Sequence, residues 1–221
     1  VILIKDYLYD NQLTLFGERT VIGFGDNDFR VMEIDRNLAN KTIIKSHYSH
    51  KIYNATYIHL GVFAGNEMLG VLQYGYAMNP ASQASVVADT EMDEYLELNR
   101  MWLDDKMPRN SESQAISCSI KYIKRKFKGK IKWIQSFADE RCGRFGVVYH
   151  NIQMTVSEGT KRYTPEVEKL QKNKDRAKRM TLRQFRYIYF IDGRYKQKCL
   201  LKEEPYPKHG GRENNESKRN I

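Results

Sequence analysis

The chain has 221 residues, of which 41% are hydrophobic and 29% charged; that balance suits one globular domain with a substantial core rather than a disordered or membrane chain. No apolar run approaches the roughly 18 residues of a membrane span, and the first residues lack the zoned pattern of a signal peptide, so a cytoplasmic protein with no membrane partner is expected. The formal charge of +10 points toward a polyanionic partner and says nothing of the fold.

In chain order, the residues before Phe24 give only a turn signal near Phe16-Gly17-Glu18. Phe29 to Ile34 alternates apolar and polar residues as a half-buried strand does, and Asp35 is placed to cap a helix running to about Tyr48. Thr56 to Phe63 and Met68 to Tyr76 flank Ala64-Gly65-Asn66-Glu67 as the strands of a hairpin. Ala77 to Asp89, with Asn79-Pro80, reads as an excursion before the strand Tyr95 to Leu103 and the loop Asp104 to Arg109. Ala115, Ile116, Ser119, Ile120 and Ile123 then recur at the spacing of one buried helix face, with the helix ending near Gly129. Trp133 to Ala138 is apolar enough for a fully buried strand and ends at Asp139. Beyond it come a short helix from Phe145 to Asn151, a strand from Met154 to Glu158 and a last strand from Tyr187 to Ile191. The expected organisation is a single domain over 1–201, with its core at about 29–192 and a basic helical insertion at about 161–186. A polar tail over 202–221, rich in Pro and Gly, is expected to be disordered.

The positive charge is concentrated. From Lys121 to Lys132 seven of twelve residues are Lys or Arg, and from Lys161 to Arg186 ten basic residues face three acidic ones. A single basic run is as readily a solvated helix face. Two runs with aromatic neighbours, Tyr122, Phe127 and Trp133 in one case and Phe185, Tyr187 and Tyr189 in the other, favour nucleic acid. Lys121, Lys124, Arg125, Lys128, Arg176 and Arg179 are the candidate backbone contacts. Cys118, Cys142 and Cys199 are too widely spaced for a disulfide framework or a C-x-x-C knuckle and read as reduced thiols.

A strand-loop-helix-strand unit within a largely antiparallel sheet flanked by helices makes the fold α/β (α+β), and it resembles the GNAT N-acyltransferase fold. Several segments together resemble the phage Mom family, whose members are GNAT-like. They are His47-Tyr48-Ser49; Leu60 to Phe63 with Gly70-Val71-Leu72; Glu97 to Asp105; Pro108 to Ser113; Ser136 to Asp139; and Gly146 to Tyr149. The resemblance spans roughly residues 43 to 160. It implies a DNA-modifying transferase that places a carbamoylmethyl-type, acyl-derived group on the exocyclic N6 amine of adenine and so protects phage DNA from restriction. The implied partner is double-stranded DNA, the implied donor acetyl-CoA or a related activated acyl compound, and the implied setting the host-cell cytoplasm.

On that resemblance Arg109, Asn110, Ser111 and Ser113 stand at the helix start where amide groups hold a pyrophosphate, and they are also ordinary capping residues, with Asn110 or Ser111 as N-cap. Met101 and Leu103 offer strand backbone to a pantetheine arm. Tyr149 matches the tyrosine that protonates a departing thiolate, although a tyrosine on a short helix is more often packing. Asp139 would orient or deprotonate the amine, or cap the next turn. His47 and Tyr48 end the first helix where substrate enters, and His47 is a base, a ligand or a solvated helix end. His47 and His50, three apart, would share a helix face toward a metal that Asp139 or Tyr149 completes, which leaves iron open. Arg100 is either a buried structural partner or a phosphate contact, and Tyr48 or Trp102 would hold a base taken from its stack. Two readings compete with this one: a GNAT acyltransferase acting on a protein, transfer RNA or small amine, and a nucleic-acid-binding relative without catalysis.

Overall fold

The computed structural model describes residues 21–22, 29–139, 146, 148–149, 152–157 and 184–207. β1 (Val21–Ile22) and β2 (Phe29–Glu33) lead into α1 (Arg36–Ser46), which starts as the sequence predicts. The Asp35 carboxylate accepts from the amides of Asn37 and Leu38, satisfying donors that a helix start leaves without intrahelical partners. β3 (Thr56–Ala64) and β4 (Glu67–Gly75) form the expected hairpin. Gly65 takes φ +55 at its tip, a left-handed conformation that costs glycine nothing. β5 (Tyr95–Leu103), α2 (Ser111–Phe127), β6 (Trp133–Asp139), β7 (Thr155–Ser157) and β8 (Gln184–Phe190) follow.

These strands make one mixed sheet in the order β1-β2-β3-β4-β5-β6-β8-β7. Every neighbouring pair is antiparallel except β5 with β6. Successive strand residues point to opposite faces, and β4 shows what each face meets. Leu72 and Tyr74 join Ile116, Ile120 and Ile123 of α2 in the main core, whereas Val71 packs with Ala39 and Ile43 of α1. The helices therefore cover opposite faces of the sheet. The five α2 positions picked out by their spacing are all buried, and each isoleucine among them removes enough apolar surface from water to contribute about 1.5–3 kcal/mol. A third cluster seats Val86 and Val87, which follow a 3-10 turn at Pro80–Ser85, against Tyr95, Trp133 and Ile188. The excursion after β4 is thus a packed flap on the sheet.

Several expectations are corrected. α1 ends at Ser46 with His47 as its C-cap, two residues before the expected end. The segment from Lys202 to Pro207 packs on the domain: the Glu204 amide donates to the Val156 carbonyl at 3.0 Å, and the Tyr206 hydroxyl donates to the Met154 carbonyl while its ring stacks on Tyr187. One aromatic residue thus anchors a stretch that its composition assigns to the tail. Gln184, Phe185 and Arg186, counted with the basic insertion, belong to β8. The rest of that insertion, Arg176 and Arg179 included, lies outside the described residues, as do Cys142 and residues 208–221. Cys118 is buried and Cys199 half-buried, neither in a disulfide.

Candidate active site

The parallel pair is short. β5 and β6 are in register only from Tyr95 opposite Trp133 to Glu97 opposite Gln135. Past that point β5 pairs on with β4 as far as Leu103, and β6 pairs on with β8 as far as Asp139. The two strands part, and from Asn99 onward the β6-facing edge of β5, which carries Met101 and Leu103, has no strand partner among the described residues. A bulge marks the fork, because Leu98 and Arg100 face adjacent β4 residues, Tyr74 and Gln73, and leave Asn99 extra. Such an insertion re-aims side chains and ends regular pairing.

Tyr149 stands in the fork on the α2 face. It lies in a helical turn, is 7% exposed, and packs its ring 4.9 Å from that of Tyr187. Gly146, at φ +75, makes this approach feasible: a Cβ there would lie 2.4 Å from the Tyr187 ring, and the Tyr149 amide donates to the Gly146 carbonyl at 2.9 Å. Ser136 Oγ donates to the Tyr149 hydroxyl at 2.8 Å and reaches the Leu98 carbonyl at 3.3 Å, so one serine spans both strands and the phenol. Beside it Ser119 donates to the Ile116 carbonyl at 2.7 Å, which leaves Tyr74 to donate to Ser119 Oγ. Burial pushes the Tyr74 phenol well above its ordinary range. Tyr74 is thus a proton-holding structural hydroxyl.

At the start of α2 the expected side-chain cap is absent. Asn110 occupies the N-cap with a left-handed backbone, φ 71, and makes no cap hydrogen bond. Ser111 and Ser113 instead turn their hydroxyls back to the carbonyls of Pro108 and Asn110, at 2.6 and 2.9 Å. Backward bonding of this kind is the local alternative to capping. Pro108, Arg109 and Asn110 are exposed while Ser111 and Ser113 are buried. A cavity of about 360 Å³ runs from this first turn along α2. Ser113, Gln114, Lys121 and Lys124 line one wall, and Ile152, Gln153 and Tyr189 the other. Lys124 Nζ sits 5.5 Å from the Tyr189 ring centre, and the Gln114 Oε1 is buried without a hydrogen-bond partner.

The α1 face of the fork is polar. Residue alternation along β6 puts Gln135, Phe137 and Asp139 on this side and Ile134, Ser136 and Ala138 on the other. Asp139 and Tyr149 therefore flank the fork from opposite faces. The Glu97 carboxylate accepts from Gln135 Nε2 at 2.8 Å and from Asn99 Nδ2 at 3.0 Å. Burial raises its pKa above the usual carboxyl range, against these hydrogen bonds and the attraction of Arg186 and Arg100. Arg100 is a strut: its Nε donates to the Lys51 carbonyl at 3.1 Å, its Nη1 to the Asn99 carbonyl at 2.7 Å, and it lies 5.7 Å from the Tyr53 ring. It ties the segment after α1 to β5.

His47, 5% exposed, accepts the Ser49 amide on Nδ1 at 3.1 Å, and Ser49 Oγ lies 2.8 Å from the same nitrogen. A neutral ring so held carries its proton on Nε2, where it is a donor rather than a base. Tyr48 is 61% exposed with its ring 4.3 Å from that of His47. His47 and His50 do not share a helix face: His47 caps α1, and His50, at φ 49, turns its Nδ1 to the Ile44 carbonyl at 2.9 Å. Among the described residues no three His, Cys, Asp or Glu side chains gather to hold a metal ion, so iron has no ligand set there. Trp102 packs with α1 and Val71. Of the remaining α2 cations, Arg125 and Lys128 are exposed, and Lys126 pairs with Glu33. No helix among the described residues is long and apolar enough to cross a membrane.

The profile of the Mom protein family matches residues 28–155 and 150–208. The chain belongs to the Mom protein family. It is 42% identical to the methylcarbamoylase Mom of Escherichia phage Mu over 217 aligned residues, which span 86% of this chain and 88% of that one. Kinship of this extent makes the Mom-family chain an enzyme with a transferase-like activity. It is also similar to an alpha-N-protein acetyltransferase of ribosomal L7/L12, at 15% identity and TM-score 0.49, over 78% of this chain and 98% of the other. A GNAT-family acetyltransferase from Streptococcus pneumoniae shows 10% identity and TM-score 0.47, over 74% of this chain and 99% of the other. Those two likenesses concern the course of the sheet and say nothing of the site.

Within this Mom-family sheet the sequence alone assigns no role to Glu97, Asn99, Gln135, Ser136 or Arg186, although Glu97, Asn99 and Ser136 lie inside family-like segments. A signal was present: Gln135 and Ser136 interrupt the otherwise apolar run Trp133 to Ala138, and polar side chains in a buried strand need partners. Arg186, the last residue of the second basic run, is half-buried on β8 with its guanidinium 5.2 Å from the Phe137 ring.

Proposed function

We propose that this chain is a DNA-modifying transferase that places an acyl-derived group on the exocyclic N6 amine of adenine in double-stranded DNA, protecting phage DNA from restriction. The observation that carries the reading is the fork itself, with a buried tyrosine hydroxyl on one face and carboxylates on the other, in a chain 42% identical to a phage methylcarbamoylase.

A coenzyme A thioester suits the α2 face. The exposed turn Pro108 to Asn110, the helix start behind it and the Lys121 and Lys124 ammonium groups favour an anion there. The β5 edge at Met101 and Leu103 offers backbone groups to an amide-bearing arm. Such a donor, when bound, supplies an activated carbon to the acceptor amine. Arg109, Asn110, Ser111 and Ser113 would hold its phosphates, through backbone as much as through side chains.

An adenine amine is a weak nucleophile because its lone pair is delocalised into the ring, so the protein must position it and assist loss of its proton. Asp139 is the candidate acceptor of that proton on the α1 face. His47, through Nε2–H, and Tyr48, through its exposed ring, are candidates to hold the extruded base at the mouth. Tyr149 donates a proton to the departing group; Ser136, donating to the phenol oxygen, directs the phenol's own hydrogen elsewhere. Arg125 and Lys128 on α2, with Arg176 and Arg179, would track the phosphate backbone.

The decisive experiment incubates duplex DNA with the protein and an acyl thioester, digests the DNA and weighs its nucleosides. Added mass confined to deoxyadenosine is expected. Unmodified nucleosides alongside acylated protein, transfer RNA or small amine would instead make the chain an ordinary N-acyltransferase.

A further inference from the structure

Around Glu97 three buried polar atoms are left over. A carboxylate only accepts, so both amides beside it must turn their NH2 groups inward, and Asn99 Nδ2 also reaches the Tyr76 carbonyl at 3.1 Å. Their oxygens, Asn99 Oδ1 and Gln135 Oε1, are thereby turned away from Glu97, and both are buried without a hydrogen-bond partner. Arg186 Nε is buried and unpartnered in the same way, with its guanidinium against Phe137 and under the pull of Glu97. An unpaired buried polar group costs about 1–3 kcal/mol, and native cores carry few of them. Three together, beside the point where β5 and β6 part, mark a site built for something that completes it. Gln135 itself is 4% exposed, whereas Asn99, Phe137 and Arg186 are half-buried, so the three atoms lie beneath side chains that reach the surface.

The complement of two acceptors and one donor is a ligand edge that offers N–H groups beside a ring lone pair. We infer that Asn99, Gln135 and Arg186, organised around Glu97, are the specificity-determining residues that read the amine-bearing edge of the acceptor base. The amide oxygens accept from the exocyclic amine, and the guanidinium donates to the neighbouring ring nitrogen. Hypoxanthine presents the reverse edge, an oxygen beside an N–H, and would leave each of these atoms unpaired or opposed. The inference rests on the reading of the chain as a base-modifying transferase.

Binding tests it without chemistry. The full chain is titrated with a duplex carrying one adenine opposite an abasic site, and with the same duplex carrying hypoxanthine there. The unaltered protein should bind the adenine duplex at least about tenfold more tightly. Gln135→Met and Arg186→Met should each bring that ratio toward one, with affinity for a duplex lacking any base at the position unchanged. Equal affinity of the unaltered protein for both duplexes, or a ratio that survives both substitutions, overturns the inference. If Gln135→Met does not fold, the unaltered protein and Arg186→Met decide the matter. Failure of the underlying reading has a separate signature, unmodified nucleosides from an unaltered protein that still discriminates the two duplexes.

Discussion

Tyr149→Phe keeps the ring that packs on Tyr187 and removes only the hydroxyl that Ser136 touches. If the phenol is a proton donor, the rate of transfer should fall about 100-fold or more. Stability should change by no more than about 1 kcal/mol, since Ser136 retains the Leu98 carbonyl within reach. Single-turnover rates and thermal melts on the same preparation check both halves. At Glu97 burial raises the folded-state pKa, so the folded protein holds this proton more tightly than the unfolded chain does. The corresponding stabilisation is present below the ordinary carboxyl range and is lost as pH rises through the raised folded value. Glu97→Gln should flatten that part of the stability profile, measured by denaturant unfolding at successive pH values; an unchanged slope would mean that Glu97 titrates as an ordinary carboxyl.

At the level of elements, Gly146 holds the turn that presents Tyr149. Gly146→Ala adds a Cβ into the Tyr187 ring at a positive φ, which should cost roughly 1–3 kcal/mol and lower the melting temperature measurably. Elements whose cause is local were legible in the sequence. The cap at Asp35, the hairpin turn at Gly65 and the buried stripe of α2 all form where residue type and spacing place them. Features decided by distant partners were not. Asn110 has a cap residue's chemistry but a left-handed backbone, His50 turns out of the α1 spiral, and Tyr206 joins the core only because Tyr187 and Met154 are there to receive it. The candidate site divides in the same way. Tyr149 and Asp139 were visible through a family pattern, whereas the Glu97 cluster depends on strands brought together across the sheet.

Across the whole molecule, the parted sheet separates two tasks. The α2 face carries the elongated cavity with its lysines, and the α1 face carries Glu97, Gln135 and Asp139, so donor and acceptor would meet through the fork. Lys121→Gln with Lys124→Gln should therefore raise KM for the donor about tenfold while leaving kcat for DNA nearly unchanged, because a uniform binding contact is lost; steady-state kinetics with each substrate varied in turn would show the split. A drop in kcat alone would place these lysines elsewhere in the cycle. The most direct test of the central claim is the mass of nucleosides from duplex DNA treated with the protein and a thioester donor. Added mass on deoxyadenosine, lost in Tyr149→Phe protein that still folds, is the predicted result. Nucleosides of unaltered mass from active, folded protein, or full modification by the Tyr149→Phe variant, would contradict it.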